Sequence, residues 1–148
     1  MYNNKKTQIR RSNFTLTELM VVIVILVMLT SFAAPMVFKH IRSARITTAK
    51  TQIKLLEQAL TDYKLDTGKF PETDDGLQVL VENTNDVEKW DGPYIKPAVP
   101  KDPWGNDYVY VCPGEHGEFD LSSLGADGVE GGEGENADIT NWTSKTEE

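Results

Sequence analysis

Residues 19–34 read LMVVIVILVMLTSFAA, and this apolar run decides how the rest of the chain can fold. Counted from Phe14 to Ala34 the segment is 21 residues long, and Glu18 is its single charged residue. At about 1.5 Å of rise per residue, a helix of this length spans about 30 Å, the thickness of a bilayer's hydrocarbon core. The run therefore predicts a membrane-spanning helix near the amino terminus.

Two interpretations of this segment stay open from composition alone. A basic flank, an apolar run and the small residues Ser31 and Ala33 also describe a secretory signal that is cleaved after Ala33. Glu18 argues against a removable signal, because a carboxylate costs about 2.5–3.5 kcal/mol at the bilayer centre and a signal gains nothing from it. Basic residues flank both ends of the run, so charge counting leaves the orientation undecided.

An apolar stripe continues the helical period beyond Pro35. Its members recur at intervals of three and four residues, with Leu55 and Ala59 expected to widen it: Ile46, Ala49, Ile53, Leu56, Leu60 and Tyr63. Such a stripe predicts a helix that packs one side on a small sheet. Gly68 and Pro71 supply a stop, so one helix is predicted from Phe14 to near Asp66, kinked at Pro35.

The remaining chain predicts short elements joined by loops. Thr73 is expected to cap a short helix whose apolar face is formed by Leu77, Leu80 and Val81. Residues 83–101 are rich in turn formers and predict an ordered loop, anchored by Trp90, Tyr94 and Ile95. Alternating residues at 107–112 and a second run at 118–121 predict two antiparallel strands.

Charge and cysteine content exclude several classes of protein. The 148 residues include 15 basic and 23 acidic side chains, a net charge of -8, which argues against a nucleic-acid partner. Cys112 is the only cysteine, so the chain can form no internal disulfide and no multi-cysteine metal site. We expect Cys112 to be a buried thiol, and the length to hold one domain.

The sequence at residues 10–20, RRSN followed by FTLTELM, resembles the processing site of type IV prepilins and pseudopilins. The resemblance implies that a prepilin peptidase removes residues 1–13, a cytoplasmic leader, and methylates Phe14. The family has Gly before the cut, whereas this chain has Asn13. It also implies that Glu18 pairs with the amino terminus of a neighbouring filament subunit, and that Pro35 matches a proline of the family's helix.

Later motifs resemble the major pseudopilins of type II secretion more narrowly: DTGKFP at 66–71, DPWGNDY at 102–108, GEHG at 114–117 and SLGADG at 123–128. The implied fold is α+β and pilin-like, with a long amino-terminal helix packed on a small antiparallel sheet and a carboxy-terminal calcium loop. The implied organisation is a transmembrane, filament-core helix half and a periplasmic domain divided into an amphipathic helix half and a head: residues 14–35, 36–66 and 67–148.

A glycine-rich segment between Glu115 and Asp138 contains eight acidic residues. Its composition leaves open a solvated loop or a Ca²⁺ site, since Ca²⁺ takes six to eight oxygen ligands and such a loop supplies carboxylates and carbonyls. The resemblance implies one Ca²⁺ held at Leu124, Asp127, Val129 and Asp138, with Trp142 closing the loop. The family has a run of aspartates where this chain has Glu135 and Asn136, and either side chain could supply the remaining oxygen.

The resemblance implies a structural subunit of the type II secretion pseudopilus, a helical filament that is assembled from the inner membrane and drives export of folded proteins. The implied localisation is a single-pass inner-membrane protein with a cytoplasmic amino terminus and a periplasmic carboxy-terminal domain. The implied partners are further copies of the chain, minor pseudopilins, the prepilin peptidase, the inner-membrane platform with its assembly ATPase, and membrane lipid.

Other functions are weighed against this one. A type IV pilin for adhesion, motility or DNA uptake shares the amino-terminal helix, but such pilins usually close their last segment with two cysteines. A membrane-tethered periplasmic calcium-binding domain and a tethered hydrolase also remain. The enzyme is disfavoured, because the sequence has no Gly-x-Ser-x-Gly, no paired histidines for zinc and no phosphate loop. His40 and His116 are expected to be structural or surface residues.

Overall fold

The computed structural model describes residues 14–142, apart from the side chains of residues 32–34. Its elements are one long helix, one short 3-10 helix and three short strands: α1 (Leu16–Thr67), the 3-10 helix (Leu77–Leu80), β1 (Val109–Val111), β2 (Asp120–Ser123) and β3 (Ile139–Thr140). The chain divides into two compact units, and the division falls after His40, within α1. The α+β class is confirmed, and the long helix begins two residues after the predicted Phe14 and ends within one residue of the predicted Asp66.

In the amino-terminal unit, α1 presents apolar side chains on every side. The large hydrophobic residues between Phe14 and Leu29 are 46% to 77% exposed, so this segment has no core of its own. The hydroxyls of Thr30 and Ser31 donate to the helix carbonyls of Leu26 and Met28, at 2.9 and 2.8 Å. A helix that is apolar all round and satisfies its own polar groups suits a membrane.

Pro35 lies inside α1, and the helix continues through it as predicted. Proline removes one helical N–H donor, a loss that membrane and filament helices tolerate. By length and composition, α1 is the one helix among the described residues that is able to cross a membrane.

In the carboxy-terminal unit, the predicted stripe of α1 is buried. Leu56 and Leu60 are at most 1% exposed, and the other buried members are Ala49, Ile53, Ala59 and Tyr63. Ile46 is partly buried against the same core. The prediction for Leu55 is wrong: its side chain is 65% exposed, because the helix turns it away from the core.

The end of α1 follows the predicted glycine stop. Gly68 has a φ of +90°, and its N–H donates to the carbonyl of Lys64 at 2.8 Å. A residue in the left-handed region after a helix satisfies a free carbonyl of the last turn, and glycine adopts that conformation without steric cost.

The core under α1 is closed by a three-stranded antiparallel sheet in the order β1-β2-β3. Tyr110 of β1 pairs with Leu121 of β2, and Ser123 of β2 pairs with Ile139 of β3. The hydroxyl of Tyr110 donates to the carbonyl of Pro71 at 2.8 Å, and that of Tyr108 donates to Gln52 of α1 at 2.7 Å. Burial raises the pKa of both tyrosines.

The strand bounds differ from the prediction, and one strand was not predicted. The first strand is shorter than 107–112 and the second begins at Asp120 rather than Glu118. The amides of Glu115 and His116 donate to the carboxylate of Asp120, which keeps the intervening residues in a turn. The third strand, Ile139–Thr140, is too short to give a sequence pattern.

Two further expectations are corrected. The residues after Gly76 form a 3-10 helix without a side-chain cap, and Thr73 instead exchanges two hydrogen bonds with the backbone of Cys112. Cys112 is only partly buried, because it lies at the end of an edge strand. The predicted anchors of the following loop are confirmed: Trp90, Tyr94 and Ile95 pack against the core, and the indole of Trp90 donates to the carbonyl of Val79.

Candidate functional site

The first candidate region is the beginning of α1. The hydroxyl of Thr15 accepts from the N–H of Glu18 at 3.2 Å, and the carboxylate of Glu18 accepts from the N–H of Thr15 at 3.4 Å. This reciprocal pair is a capping box, which satisfies two of the free amides at a helix start. Glu18 remains exposed, so its carboxylate is accessible to a further partner.

The other residues named for processing and assembly are placed as follows. Phe14 is 75% exposed and precedes α1, and Pro35 lies within it. Asn13 and the rest of the leader lie outside the described residues.

The second candidate region is the acidic loop that joins β2 to β3. Two of its glycines permit close backbone approaches. A Cβ on Gly125 would lie 2.7 Å from the carbonyl oxygen of Glu135, and a Cβ on Gly132 would lie 2.6 Å from that of Asn136; both glycines have positive φ. The N–H of Ala126 donates to the carbonyl of Glu135 at 2.9 Å, so the two sides of the loop are joined.

Asp138 shows the strongest sign of a missing partner. Its Oδ2 accepts from the N–H of Gly131 at 2.9 Å, but its Oδ1 is buried and has no hydrogen-bond partner among the described residues. Asp138 lines a cavity of about 340 Å³ together with Leu124 and Glu130. Since a buried carboxylate oxygen is costly without a donor or a cation, Asp138 fits the requirement for a metal ligand.

The other predicted ligands are more exposed than the buried oxygen of Asp138, and their side chains do not cluster around it. Asp127 is exposed and accepts from the N–H of Val129 at 3.2 Å, and Val129 is itself 63% exposed. Among residues 14–142, no three Asp, Glu, His or Cys side chains are close enough together to hold a metal ion. Any cation here would therefore take most of its oxygens from the backbone, as Ca²⁺ accepts.

Glu135 and Asn136 are oriented differently from each other. The carboxylate of Glu135 contacts two arginines of α1: its Oε2 lies 3.2 Å from Nε of Arg42, and its Oε1 lies 4.0 Å from a terminal nitrogen of Arg45. Asn136 is exposed, and its backbone N–H donates to the carbonyl of Glu133.

His116 closes the same cavity without acting as a predicted ligand. Its ring stacks on Trp142, with the centroids 4.2 Å apart and the planes within 4°, and its Nδ1 lies 2.8 Å from Oδ2 of Asp120. Burial acts to raise the pKa of Asp120, but hydrogen bonds from His116 and from the amides of Glu115 and His116 outweigh it and lower the pKa. His116 thus holds Trp142 and the β1–β2 turn together, and His40 is exposed.

Sequence reasoning missed three contributors to these regions. The capping box was visible as Thr-x-x-Glu at residues 15–18, directly before an apolar run. Arg42 and Arg45 were visible only as a basic pair three residues apart, which places them on one helix face without indicating a partner. The contact of Asp120 with His116 depends on the turn between the strands, and no local pattern predicts it.

These features define a class of protein. A helix whose first part is apolar on all sides and whose last part packs one stripe on a small antiparallel sheet is the architecture of pilin-like subunits. The family model for type II secretion system protein G matches residues 36–142. The chain belongs to that family.

The individual relatives agree with this assignment. Type II secretion system core protein G of Vibrio cholerae is 49% identical over 136 residues, covering 90% of this chain and 92% of the relative. The corresponding protein of Pseudomonas aeruginosa is 47% identical over 138 residues, covering 90% and 96%. The crystal structure of the major pseudopilin from the type 2 secretion system of enterohaemorrhagic Escherichia coli matches with a TM-score of 0.59 and 34% identity, covering 71% of this chain and 92% of that one.

Proposed function

We propose that this chain is the major structural subunit of a type II secretion pseudopilus, a helical filament that grows from the inner membrane and drives export of folded proteins across the outer membrane. The observation that carries the proposal is α1 itself, whose exposed apolar part requires a membrane or other helices around it. Membership of the protein G family favours this role over a type IV pilin.

The proposed membrane arrangement places residues 14–35 in the bilayer, with the leader in the cytoplasm and residues 36–148 in the periplasm. Prepilin peptidase would cut between Asn13 and Phe14 and methylate Phe14. The subunit would then join copies of itself and minor pseudopilins, driven by the platform protein and its ATPase. This is a structural role rather than a catalytic one.

The intact mass of the protein from its own host's envelope tests the processing step. We expect the loss of residues 1–13 and the addition of one methyl group. Retention of the leader, or a cut after Ala33, would contradict the filament role, because the first leaves Phe14 without a free amino group and the second removes the membrane anchor.

Glu18 is proposed to pair with the amino terminus of a neighbouring subunit, because a buried carboxylate is tolerated in an apolar filament core only with a cationic partner. The capping box offers a second explanation for Glu18, namely that it stabilises the start of α1. Two variants distinguish the pairing role from the capping role. Glu18→Gln keeps a capping-box side chain but removes the charge, whereas Glu18→Ala removes both.

These variants are compared in a strain that lacks the chromosomal gene, with exported protein as the measurement. The proposal expects both to lose export, while Glu88→Gln, which removes an exposed head carboxylate, exports like the parent. Export by Glu18→Gln but not by Glu18→Ala would assign Glu18 to helix capping alone. Normal export without the gene would contradict the secretion role.

We further propose that the β2–β3 loop binds one Ca²⁺. Oδ1 of Asp138, which has no hydrogen-bond partner in the part of the chain that the structure describes, supports this proposal. Asp127 and the carbonyls of Leu124 and Val129 would complete the set of ligands, with Asn136 as an additional oxygen. When bound, the cation supplies positive charge to an acidic loop. Gly125 and Gly132 allow the close backbone approaches within this loop, and Trp142 stacks on His116 after β3.

Thermal unfolding with and without Ca²⁺ tests this site. A ligand present at 100 times its Kd stabilises the folded state by about 2.7 kcal/mol, so saturating Ca²⁺ should raise the unfolding temperature. Asp138→Asn should abolish the effect, and Asp74→Asn, an exposed aspartate outside the loop, should preserve it. An unchanged unfolding temperature in the parent would contradict the calcium proposal.

A further inference from the structure

Glu135 connects the acidic loop to α1. Its two carboxylate oxygens lie 3.2 and 4.0 Å from guanidinium nitrogens of Arg42 and Arg45, respectively. The two arginines are three residues apart, so they project from the same face of the helix. The side chain of Glu135 is only 26% exposed, which leaves this contact less screened than a fully solvated ion pair.

The backbone of the same residue holds the opposite side of the loop. The carbonyl of Glu135 accepts from the N–H of Ala126, and it lies where a Cβ on Gly125 would collide with it. Glu135 therefore joins three parts of the molecule: the helix, the segment that leaves β2, and the segment that leads to Asp138.

The electrostatic surroundings of the Glu135 carboxylate disfavour its acting as a Ca²⁺ ligand as well. A Ca²⁺ ligand must place its oxygen 2.3–2.6 Å from the cation, and a guanidinium nearby repels that cation. Both oxygens of Glu135 already face guanidinium groups. The buried carboxylate oxygen without a hydrogen-bond partner among residues 14–142 is Oδ1 of Asp138, three residues further along the chain.

We propose that Glu135 is a positioning residue and not a calcium ligand: through Arg42 and Arg45 it ties the loop to α1 and presets the loop before a cation arrives. This inference rests on the proposed calcium loop. At Glu135 this chain departs from the aspartates of the pseudopilin pattern, and the proposed role of Glu135 is an ion pair within the subunit.

The first experiment needs no calcium. Hydrogen exchange is measured on the full-length chain in detergent with a chelator present, following the amide of Ala126, which donates to Glu135. Glu135→Gln and Arg42→Gln should each speed exchange about two- to five-fold, the range expected from losing a partly exposed ion pair. Glu133→Gln makes the same chemical change two residues away at an exposed position, and it should leave exchange at the parent's rate.

The second experiment is a Ca²⁺ titration of the same proteins by calorimetry. If Glu135 acts through the arginine, Glu135→Gln and Arg42→Gln should weaken Ca²⁺ binding by similar factors, and the double variant should be no weaker than either single variant. If Glu135 is a ligand, Arg42→Gln should tighten binding, because it removes a competing cation, while Glu135→Gln weakens it strongly. That opposite sign would overturn the inference.

The two experiments separate this inference from the calcium proposal. Unchanged exchange in Glu135→Gln would overturn the positioning role whether or not Ca²⁺ binds. A different outcome is faster exchange in the variants together with no Ca²⁺ binding by the parent protein. That outcome would overturn both the calcium proposal and the presetting role, and the Glu135–Arg42 contact would then serve only to hold the loop on the helix.

Discussion

The two parts of α1, before and after Pro35, have different surroundings although they belong to one helix. Between residues 16 and 29 every large apolar side chain is at least 46% exposed, whereas between Ala49 and Tyr63 one stripe is almost wholly buried and its flanks are mainly polar, apart from the exposed Leu55. Among the described residues of its unit, the first part has no packing partner, and the second part has one on a single side. Both parts are helical, so the pattern of apolar residues along α1 indicates what surrounds each part and not whether that part is a helix.

A matched set of leucine truncations tests this contrast most strongly. Leu56→Ala should lower the free energy of unfolding of the carboxy-terminal unit by about 2–5 kcal/mol, because it leaves a cavity in the core. Leu26→Ala in the first part and Leu55→Ala beside Leu56 remove the same atoms from sites 55% and 65% exposed.

Both control variants should change the free energy of unfolding by less than about 0.5 kcal/mol, as is usual for surface positions. Chemical denaturation in detergent, followed by tryptophan fluorescence, measures all three, since the tryptophans lie in the head. A large effect of Leu26→Ala would break the contrast, because it would show that the first part contributes to the folded core.

A smaller effect is expected where the loop before the sheet meets β2. Asp102 is 4% exposed; its carboxylate accepts from the amides of Trp104 and Asn106 and from the hydroxyl of Ser123. Asp102→Ala should cost about 1–3 kcal/mol of stability, because buried donors lose their acceptor.

Asp107→Ala is the matched control for this prediction. Asp107 forms an exposed ion pair with Lys101, so its loss should cost less than about 1 kcal/mol. The same denaturation measurement applies. Equal effects of the two substitutions would show that the carboxylate of Asp102 does not join loop and sheet.

The smallest expected effect is a pH dependence of the stability of the head, residues 67–148, which is caused by Asp120. The pKa of Asp120 is lowered from its ordinary value of 3.8, so the unfolded chain binds this proton at higher pH than the folded chain. The stabilisation is complete above the unfolded-state pKa and is lost as pH falls through the lower, folded-state pKa.

Asp120→Asn should therefore destabilise the protein at neutral pH, and its difference from the parent should shrink as the pH falls below about 4. Thermal unfolding as a function of pH measures this difference. A difference that stays constant down to pH 2 would show that the hydrogen bonds, not the charge of Asp120, carry the stabilisation.

The sequence by itself determined the long helix, its apolar first part, its buried stripe and its glycine stop, because these depend on local composition and on a helical period that repeats many times. It also indicated the acidic loop and, through the resemblance, a family that the comparisons confirm. The calcium ligands predicted there remain a proposal.

Only the tertiary structure decided the strand bounds, the two-residue strand β3, the exposure of Leu55 and the role of Thr73. Several of these features depend on contacts that no sequence pattern indicates. Thr73 bonds to Cys112, 39 positions away, and β2 begins only after the amides of Glu115 and His116 have closed a turn on Asp120. The partner of Glu135 is of the same kind. Its sequence shows a carboxylate in an acidic loop, and only the fold brings it to Arg42, since pairing across 93 positions leaves no local pattern.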